Sequence, residues 1–188
     1  MDQADGVLIA AYLEGDEKAL GVLVDRYLSD VYHFAFRLVG NAGAAEDVAQ
    51  EAFVKAWKHI RSFVPGGSFR AWLFTIARNT AVDYLRTKKE VALSRFENAE
   101  GENSLLASIA DNAPLPDELI ARAEDVRYLA GLLAEINPEY REVLELRHTS
   151  NLTFEEIGKV VKRPLHTVKS QHRRGLAALR RLIGVSPA

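Results

Sequence analysis

Residues 152–183 read LTFEEIGKVVKRPLHTVKSQHRRGLAALRRLI, and this stretch determines the predicted fold. Thr153 and Glu156 have the spacing of a capping box, which predicts that a helix begins at Phe154. This helix is expected to be short, because KRP at 162–164 breaks it and the proline suits the first turn of a second helix. Two helices joined by a tight turn predict a helix-turn-helix.

The second of these helices is predicted to have one apolar side and one basic side. Eight Lys or Arg occur from Lys159 to Arg181, and no acidic residue follows Glu156. Such a surface attracts phosphate groups and releases counterions when it binds them. The alternative interpretation is a solvated cationic helix that closes a bundle. The polar side would carry His166, Lys169, Ser170, Arg173, Arg174 and Arg181.

The composition of the chain is that of a globular protein. It has 188 residues, of which 48% are hydrophobic and 27% charged, enough for one domain or two small ones. It has no cysteine, so disulfides and thiolate metal sites are excluded. The five histidines form no pair with metal-ligand spacing on one helix, and no metal is assigned. No apolar run reaches the length of a membrane span and the N-terminus does not resemble a signal peptide, so a cytoplasmic protein without membrane insertion is expected.

The net charge of −2 conceals an uneven distribution. Residues 1–90 hold 11 basic and 12 acidic side chains, residues 91–125 hold 2 and 8, and residues 126–188 hold 11 and 6. An acidic middle thus separates the basic C-terminal end from the rest, and only modest affinity for free DNA is expected. One hypothesis is that the acidic middle covers the basic surface in the free protein.

Helical spacing also predicts the N-terminal half. A first helix over 7–13 stops at Gly15, and Asp16 caps a second helix that ends before Gly40. A third helix is predicted over 44–62, with an apolar side and a polar side. From spacing alone, the polar side is more often a solvated surface than a binding surface.

A loop over 63–68 is predicted from its Pro and Gly residues, and a helix over 69–89 follows it. One stripe of that helix is polar and basic and lies next to aromatic residues, a combination that can follow the backbone of a single nucleic-acid strand. Over 91–115 the helical pattern fails, which predicts a flexible acidic linker. Helices resume over 117–135 and 137–148, the latter with its first residue, an asparagine, as the cap.

No strand is required by any of these patterns, so the predicted fold class is all-α. We expect two small helical domains joined by a flexible acidic linker, with the helix-turn-helix in the C-terminal one. The predicted boundaries are 1–90 for the first domain, 91–116 for the linker and 117–188 for the second domain.

Three segments, in this order, resemble the extracytoplasmic-function (ECF, group IV) sigma factors of bacterial RNA polymerase. They are EDVAQEAFVKAW at 46–57, SFRAWLFTIARNTAVDYLR at 68–86, and the helix-turn-helix with TVKS at 167–170. The resemblance covers residues 5–183 except for the linker. It implies a protein that binds rather than catalyses, with no cofactor and no small-molecule substrate.

The resemblance implies two binding surfaces in the N-terminal half. In the family, the helix matching 45–62 docks on the clamp of the polymerase's largest subunit, which replaces the solvated-surface interpretation given above. Its polymerase-binding residues would be Asp47, Gln50, Glu51, Val54 and Lys58. The loop at 63–68 and the next helix match the part that captures a flipped base of the −10 element and holds the melted strand. Its DNA-binding residues would be Ser68, Arg70, Thr75, Arg78, Asn79, Arg86 and Lys89.

A third surface is implied for the C-terminal half, where the helix from Leu165 matches the one that enters the major groove at the −35 element. Its DNA-binding residues would be Arg163, His166, Thr167, Lys169, Ser170, Arg173 and Arg174. The partners implied by the resemblance are core RNA polymerase, promoter DNA and an anti-sigma factor.

The sequence departs from the family in and after the turn. Lys162 stands where the family usually has glycine, and a lysine in a turn that favours positive φ would be mildly strained. His172 stands where an aliphatic residue is usual. We expect it to be a core histidine satisfied by a backbone carbonyl rather than a pH switch.

Two other functions compete with this interpretation. A helix-turn-helix regulator with a helical N-terminal sensing domain explains residues 152–183 equally well, but it does not explain the helix at 45–62. A helical enzyme would need clustered nucleophile, base or metal ligands, and the sequence offers no convincing set. An interior polar pocket among the first four helices would favour either alternative.

Overall fold

A computed structural model describes residues 4–96, 128 and 131–184, and all regular secondary structure within them is helical. The predicted all-α class is therefore confirmed. The elements are α1 (Asp5–Leu13), α2 (Glu17–Val39), α3 (Ala42–Lys58), a 3₁₀ turn (Ile60–Ser62), α4 (Phe69–Phe96), α5 (Pro138–His148), α6 (Phe154–Val161) and α7 (Leu165–Ile183). Residues 131–135 are helical as well.

The chain divides into two compact units. The N-terminal unit contains α1 to α4, and the C-terminal unit includes residues 131–158 and 162–184. Residues 97–116 of the predicted linker lie outside the described residues, and so does the hypothesis that the linker covers the basic surface. The exact domain boundaries stay predictions.

Both predicted ends of α3 and the predicted C-terminal end of α4 were wrong. Helix α4 continues to Phe96 instead of ending at 89, because 90–96 contains neither Gly nor Pro and charge by itself does not end a helix. Helix α3 begins at Ala42, since Asn41 Oδ1 accepts a 2.9 Å hydrogen bond from the Ala44 amide. It ends at Lys58 and gives way to the 3₁₀ turn, so the predicted single helix over 44–62 is two elements.

The core of the N-terminal unit lies between α2 and the helices that pack on it, which are α1, α3 and α4. Its large, completely buried side chains include Leu23, Val31, Phe34, Leu73 and Phe74. The predicted cap and stop of α2 are confirmed, because Asp16 Oδ1 accepts from the Lys18 amide at 3.0 Å and Gly40 has a φ of 71°. This arrangement fixes which side of α3 and α4 is left for solvent.

Local signals in the C-terminal unit were also predicted correctly. The capping box is present, with the Glu156 amide donating to Thr153 Oγ1 at 3.2 Å and the Thr153 amide donating to Glu156 Oε2 at 2.7 Å. Lys162 has a φ of 55°, the left-handed conformation that its turn was expected to require. Pro164 lies immediately before α7 as its N-cap, one position earlier than predicted.

Helices α5 and α7 approach each other closely at Gly175. A Cβ atom at this position would lie 3.0 Å from the Leu144 side chain and 3.3 Å from Tyr140 Cβ. Any side chain here would force Leu144 and Tyr140 to shift, so glycine lets α7 lie close against α5 with its opposite side exposed.

Candidate functional site

The five predicted polymerase-binding residues lie together on one exposed face of α3. Asp47, Gln50, Glu51, Val54 and Lys58 are all exposed, and Val54 is 49% exposed although it is apolar. The opposite face carries the buried Val48, Ala49, Ala52, Phe53 and Ala56. We call the exposed set the α3 face. The structure brings together every residue that was predicted for it.

A groove of about 430 Å³ lies between α2 and α3 beside the α3 face. Its walls include Leu28 and Tyr32 of α2 and Gln50 of α3. Leu28 is 44% exposed. This groove was not predicted from the sequence, in which its available signal was a leucine outside the apolar stripe of α2. An apolar groove next to a mixed polar face is a common arrangement at protein-protein contacts.

The loop before α4 is a tight turn built on aromatic residues. Gly67 N donates to Val64 O at 3.0 Å and Gly66 has a φ of 83°, which, with Pro65 before it, is the pattern of a type II turn. Phe63 anchors the loop, because its ring lies 5.7 Å from that of Phe69 in an edge-on contact. Val64 is 73% exposed at the outer side of the turn.

The predicted −10 residues on α4 do not share one environment. Ser68 caps the helix, since its Oγ accepts a 3.2 Å hydrogen bond from the Ala71 amide. Thr75 is half-buried and donates from Oγ1 to Ala71 O at 2.8 Å. Asn79, Arg86 and Lys89 are exposed, and Arg78 is half-buried. Arg86 lies 3.4 Å from Asp83 in an exposed ion pair of small energetic value.

Arg70, which was predicted to bind DNA, lies within a network inside the N-terminal unit. Its Nη1 donates to Asp30 Oδ2 at 2.8 Å, and its guanidinium carbon lies 5.0 Å from the centre of the Tyr27 ring. Tyr27 is 4% exposed, and its hydroxyl donates to Asp5 Oδ2 at 2.5 Å. Burial raises the pKa of Tyr27 to about 12, with the Asp5 hydrogen bond and charge adding to the effect. The network joins α1, α2 and the start of α4.

The basic side of α7 presents a set of exposed cations. Lys169, Arg173 and Arg174 are exposed, as is His166, while Thr167 and Ser170 are half-buried. Arg174 Nη1 also reaches the Tyr140 hydroxyl at 3.4 Å. On the other side, Val168 and Gly175 are buried. The sidedness that was predicted from the sequence is therefore present in the middle of α7, whereas Leu165 and Ile183, which were predicted for the apolar side, are exposed at its two ends.

Arg163 is the exception among the predicted −35 residues. Its Nη2 donates to Glu139 Oε1 at 2.7 Å, and its Nη1 is buried. The other oxygen of the same carboxylate, Oε2, accepts from Gln171 Nε2 at 3.1 Å. Glu139 was not identified from the sequence, because a partner 24 residues away from Arg163 leaves no local signal.

The predicted partner of His172, a backbone carbonyl, was wrong. The ring meets His148 of α5, with the two Nε2 atoms 3.0 Å apart, and the Phe154 ring of α6 lies edge-on with a centroid distance of 5.1 Å. Burial lowers the pKa of His172, and the charges of His148 and Arg147 lower it further. Two facing Nε2 atoms can share one proton but cannot both carry one.

Among the described residues, no group of three or more His, Asp or Glu side chains could hold a metal ion. Across 4–96, 128 and 131–184, none of the helices combines the length and apolar character needed to cross a bilayer. The polar cleft among α1, α2 and α4 is lined by residues such as Asp5, Arg26 and Arg70, of which Arg26 pairs with Asp5 at 2.5 Å.

Two family models match the chain. The model for sigma-70 region 2 matches residues 23–91, and the model for sigma-70 region 4 matches residues 132–181. The first match covers most of α2, all of α3, the loop and α4 as far as residue 91, and the second covers α5 and the helix-turn-helix.

Individual proteins are similar over almost the whole length. The ECF RNA polymerase sigma factor SigW of Bacillus subtilis is 33% identical over 169 residues, which are 89% of this chain and 90% of that protein. The ECF RNA polymerase sigma-E factor of Escherichia coli is 34% identical over 89% of this chain and 87% of its own. Among solved structures, CnrH in complex with the cytosolic domain of CnrY has a TM-score of 0.69 at 25% identity, covering 98% of this chain and 100% of CnrH.

Proposed function

The chain belongs to the extracytoplasmic-function sigma factors of RNA polymerase, and from that premise we propose how its parts direct transcription from specific promoters. It is an alternative sigma factor, which directs promoter-specific initiation of transcription. Sigma factors are not enzymes as a class, and we propose that this chain too acts by binding alone, in the cytoplasm.

We propose that the α3 face binds core RNA polymerase. The observation that carries this assignment is the exposure of all five predicted residues on one side of one helix, beside the groove between α2 and α3. An exposed Val54 among charged neighbours supplies apolar area, while Asp47 and Glu51 supply charge that selects the partner.

The −10 element is proposed to bind at the loop 63–68 and the exposed side of α4. The tight turn at Val64 to Gly67 can form a rigid edge of a pocket for the flipped base. Contacts in such a pocket are needed because flipping a base costs a few kcal/mol. Asn79, Arg86 and Lys89 are exposed and can follow the melted strand. Ser68 and Arg70 act in this proposal by fixing the start of α4.

The −35 element is proposed to bind along α7. Lys169, Ser170, Arg173 and Arg174 would divide between phosphates and base edges, with His166 and Thr167 at the end of the helix that enters the groove. The domains are proposed to run over 1–90 and 117–188 with a linker between them. The family-model matches at 23–91 and 132–181 support this division, and the continuation of α4 to Phe96 extends the first domain slightly.

An anti-sigma partner is also proposed. CnrH, which is similar over nearly the whole chain, was solved with the cytosolic domain of CnrY. A tagged copy of the chain isolated from its host should carry a second protein that excess core polymerase displaces. If core polymerase releases no such protein, the partner proposal is wrong.

The test of the function is reconstituted transcription with core polymerase and fragments of the host genome, with sequencing of the transcript 5′ ends. Wild type is expected to start from a discrete set of promoters. Asp47→Arg should abolish core binding because it reverses a charge on the α3 face, whereas Asp25→Arg, an exposed residue of α2, should not. Sequence-specific DNA binding without core binding would replace the sigma function with that of a helix-turn-helix regulator.

A further inference from the structure

Arg163 is anchored to the protein by its main chain as well as by its side chain. Its amide donates to Gly158 O at 2.9 Å, and a Cβ atom at Gly158 would lie 2.9 Å from Arg163 O. The turn between α6 and α7 is thus pressed against the end of α6. Nη1 is buried, Nη2 is bound to Glu139, and only 24% of the side chain is exposed, so the guanidinium is held mainly by contacts within the protein.

The carboxylate that holds Arg163 is itself fixed. Glu139 lies in the first turn of α5, and its amide donates to the Oδ1 of the N-cap Asn137 at 2.9 Å. A negative charge in the first turn of a helix is favoured by the helix dipole. Glu139 therefore offers its two oxygens from a defined backbone position, although its side chain is 53% exposed.

The same carboxylate also holds the helix that is proposed to read DNA. Gln171 is 6% exposed and donates from Nε2 to Glu139 Oε2 at 3.1 Å. One turn further along α7, Gly175 packs against Tyr140, the neighbour of Glu139. Glu139 thus joins α5, the turn and the N-terminal half of α7 through one carboxylate.

We propose that Glu139 is a positioning residue for −35 recognition, which holds Arg163 and Gln171 so that α7 presents Lys169, Ser170 and Arg173 in a fixed orientation. Arg163 then contributes to recognition through its contacts within the C-terminal unit and not through a phosphate. This proposal rests on the function of α7 given above. It separates Arg163 from the exposed cations with which the sequence grouped it.

The first test uses the salt dependence of promoter binding by the holoenzyme. Each phosphate contact to B-DNA adds about 0.9 to the slope of log K against log salt. Arg163→Gln should lower the affinity for a promoter found in the transcription experiment while leaving the slope unchanged. The matched controls are Lys169→Gln, Arg173→Gln and Arg174→Gln on the exposed side of α7, and each one that removes a phosphate contact should reduce the slope by about 0.9. A slope reduced to the same extent by Arg163→Gln would show a phosphate contact and overturn the proposal.

The second test compares a promoter with one whose −35 element is scrambled. Glu139→Gln should lower the ratio of the two affinities about threefold, a small coupling for residues in contact. If Glu139 merely repels DNA, removing its charge would raise both affinities equally and leave the ratio unchanged, which would contradict positioning. The exchanged pair Glu139→Arg with Arg163→Glu should recover discrimination that either single change loses.

Two controls separate failure of the proposal from other failures. Far-UV circular dichroism and binding to core polymerase should be unchanged in every variant. If Glu139→Gln unfolds, Glu139→Asp takes its place. This variant keeps the charge and is expected to retain at least half of the discrimination between the two promoters. If the wild-type holoenzyme itself does not distinguish the two promoters, the proposed function of α7 fails. If the wild type discriminates and Glu139→Gln does so equally well, only the positioning role fails.

Discussion

The two units each place an arginine at the start of a helix that is proposed to bind DNA, but they hold it differently. Arg70 of the N-terminal unit pairs with Asp30 and lies over the ring of Tyr27, which is buried. Arg163 of the C-terminal unit depends on Glu139, whose side chain is 53% exposed, against 39% for Asp30. The first arginine is part of an aromatic network, and the second is held by one half-solvated carboxylate.

This difference indicates where each unit obtains its rigidity. In the N-terminal unit, the start of α4 is fixed by burial, which solvent and salt affect little. In the C-terminal unit, the turn before α7 is fixed by an ion pair of modest strength together with the close approach at Gly175. We therefore expect changes in the N-terminal network to alter stability, and changes around Glu139 to alter recognition more than stability.

The largest expected effect comes from removing the aromatic part of the N-terminal network. Tyr27→Ala deletes a ring that is 4% exposed and contacts Phe69 at 5.6 Å, so the free energy of unfolding should fall by about 3–5 kcal/mol. Both tryptophans, Trp57 and Trp72, lie in this unit, and their fluorescence during urea unfolding reports on it selectively.

The control for this change is Tyr128→Ala, since Tyr128 is 62% exposed. It should leave the tryptophan transition unchanged. A loss of less than about 1 kcal/mol in Tyr27→Ala would mean that the network contributes little to the N-terminal unit.

The next largest effect is expected from disturbing the close packing of α5 against α7 in the C-terminal unit. Gly175→Val places side-chain atoms against Leu144 and Tyr140, and overpacking of this kind should cost about 1–3 kcal/mol. The loss should appear in the far-UV circular dichroism of the urea transition and leave the tryptophan transition in place. Ala177→Val, an exposed position on the same helix, should have a much smaller effect. Equal losses at both positions would refute the packing explanation.

A smaller effect is expected for the coupling free energy of the two arginine ion pairs. A double-mutant cycle with Asp30→Asn and Arg70→Met should give a coupling of about 0.5–1 kcal/mol in the tryptophan transition, the upper part of the range for partly exposed pairs. The cycle for Glu139→Gln and Arg163→Met, followed by circular dichroism, should give less because Glu139 is more exposed. A larger coupling in the C-terminal unit would reverse the comparison.

The smallest expected effect is a pH dependence of the C-terminal unit. His172 of α7 faces His148 and Arg147 of α5 and the Phe154 ring of α6, and its pKa is lowered from the usual 6.5. Because the unfolded chain binds this proton more tightly, the stability that the neutral ring contributes is complete above pH 6.5. It is lost as the pH falls through the lowered pKa of the folded protein.

Urea transitions followed by circular dichroism between pH 7.5 and 5.5 would measure this loss. The midpoint of the wild type should fall more than that of His172→Ile, which restores the aliphatic residue expected from the family. His166→Gln, an exposed position on the same helix, should behave like the wild type. Parallel midpoints for the wild type and His172→Ile would rule out a contribution from the histidine pair.

Much of the fold could be predicted from the sequence because its signals are local. The caps at Asp16, Asn137 and Thr153 satisfy amides two or three residues away, and the left-handed Lys162 lies in a turn that the following proline marks. The α3 face was predicted completely, since its residues belong to one helix and helical spacing alone places them on one side.

What only the tertiary structure decided was the choice of partners. Spacing placed Arg70, Arg163 and His172 on helix faces or in turns, but it did not reveal Asp30, 40 residues from Arg70, or Glu139 and His148, each 24 residues from its partner. A helix face is set by rotation of the chain about a local axis, which the sequence determined by itself. A contact between side chains depends on how separate helices pack, and that depends on the shapes of all the buried side chains together.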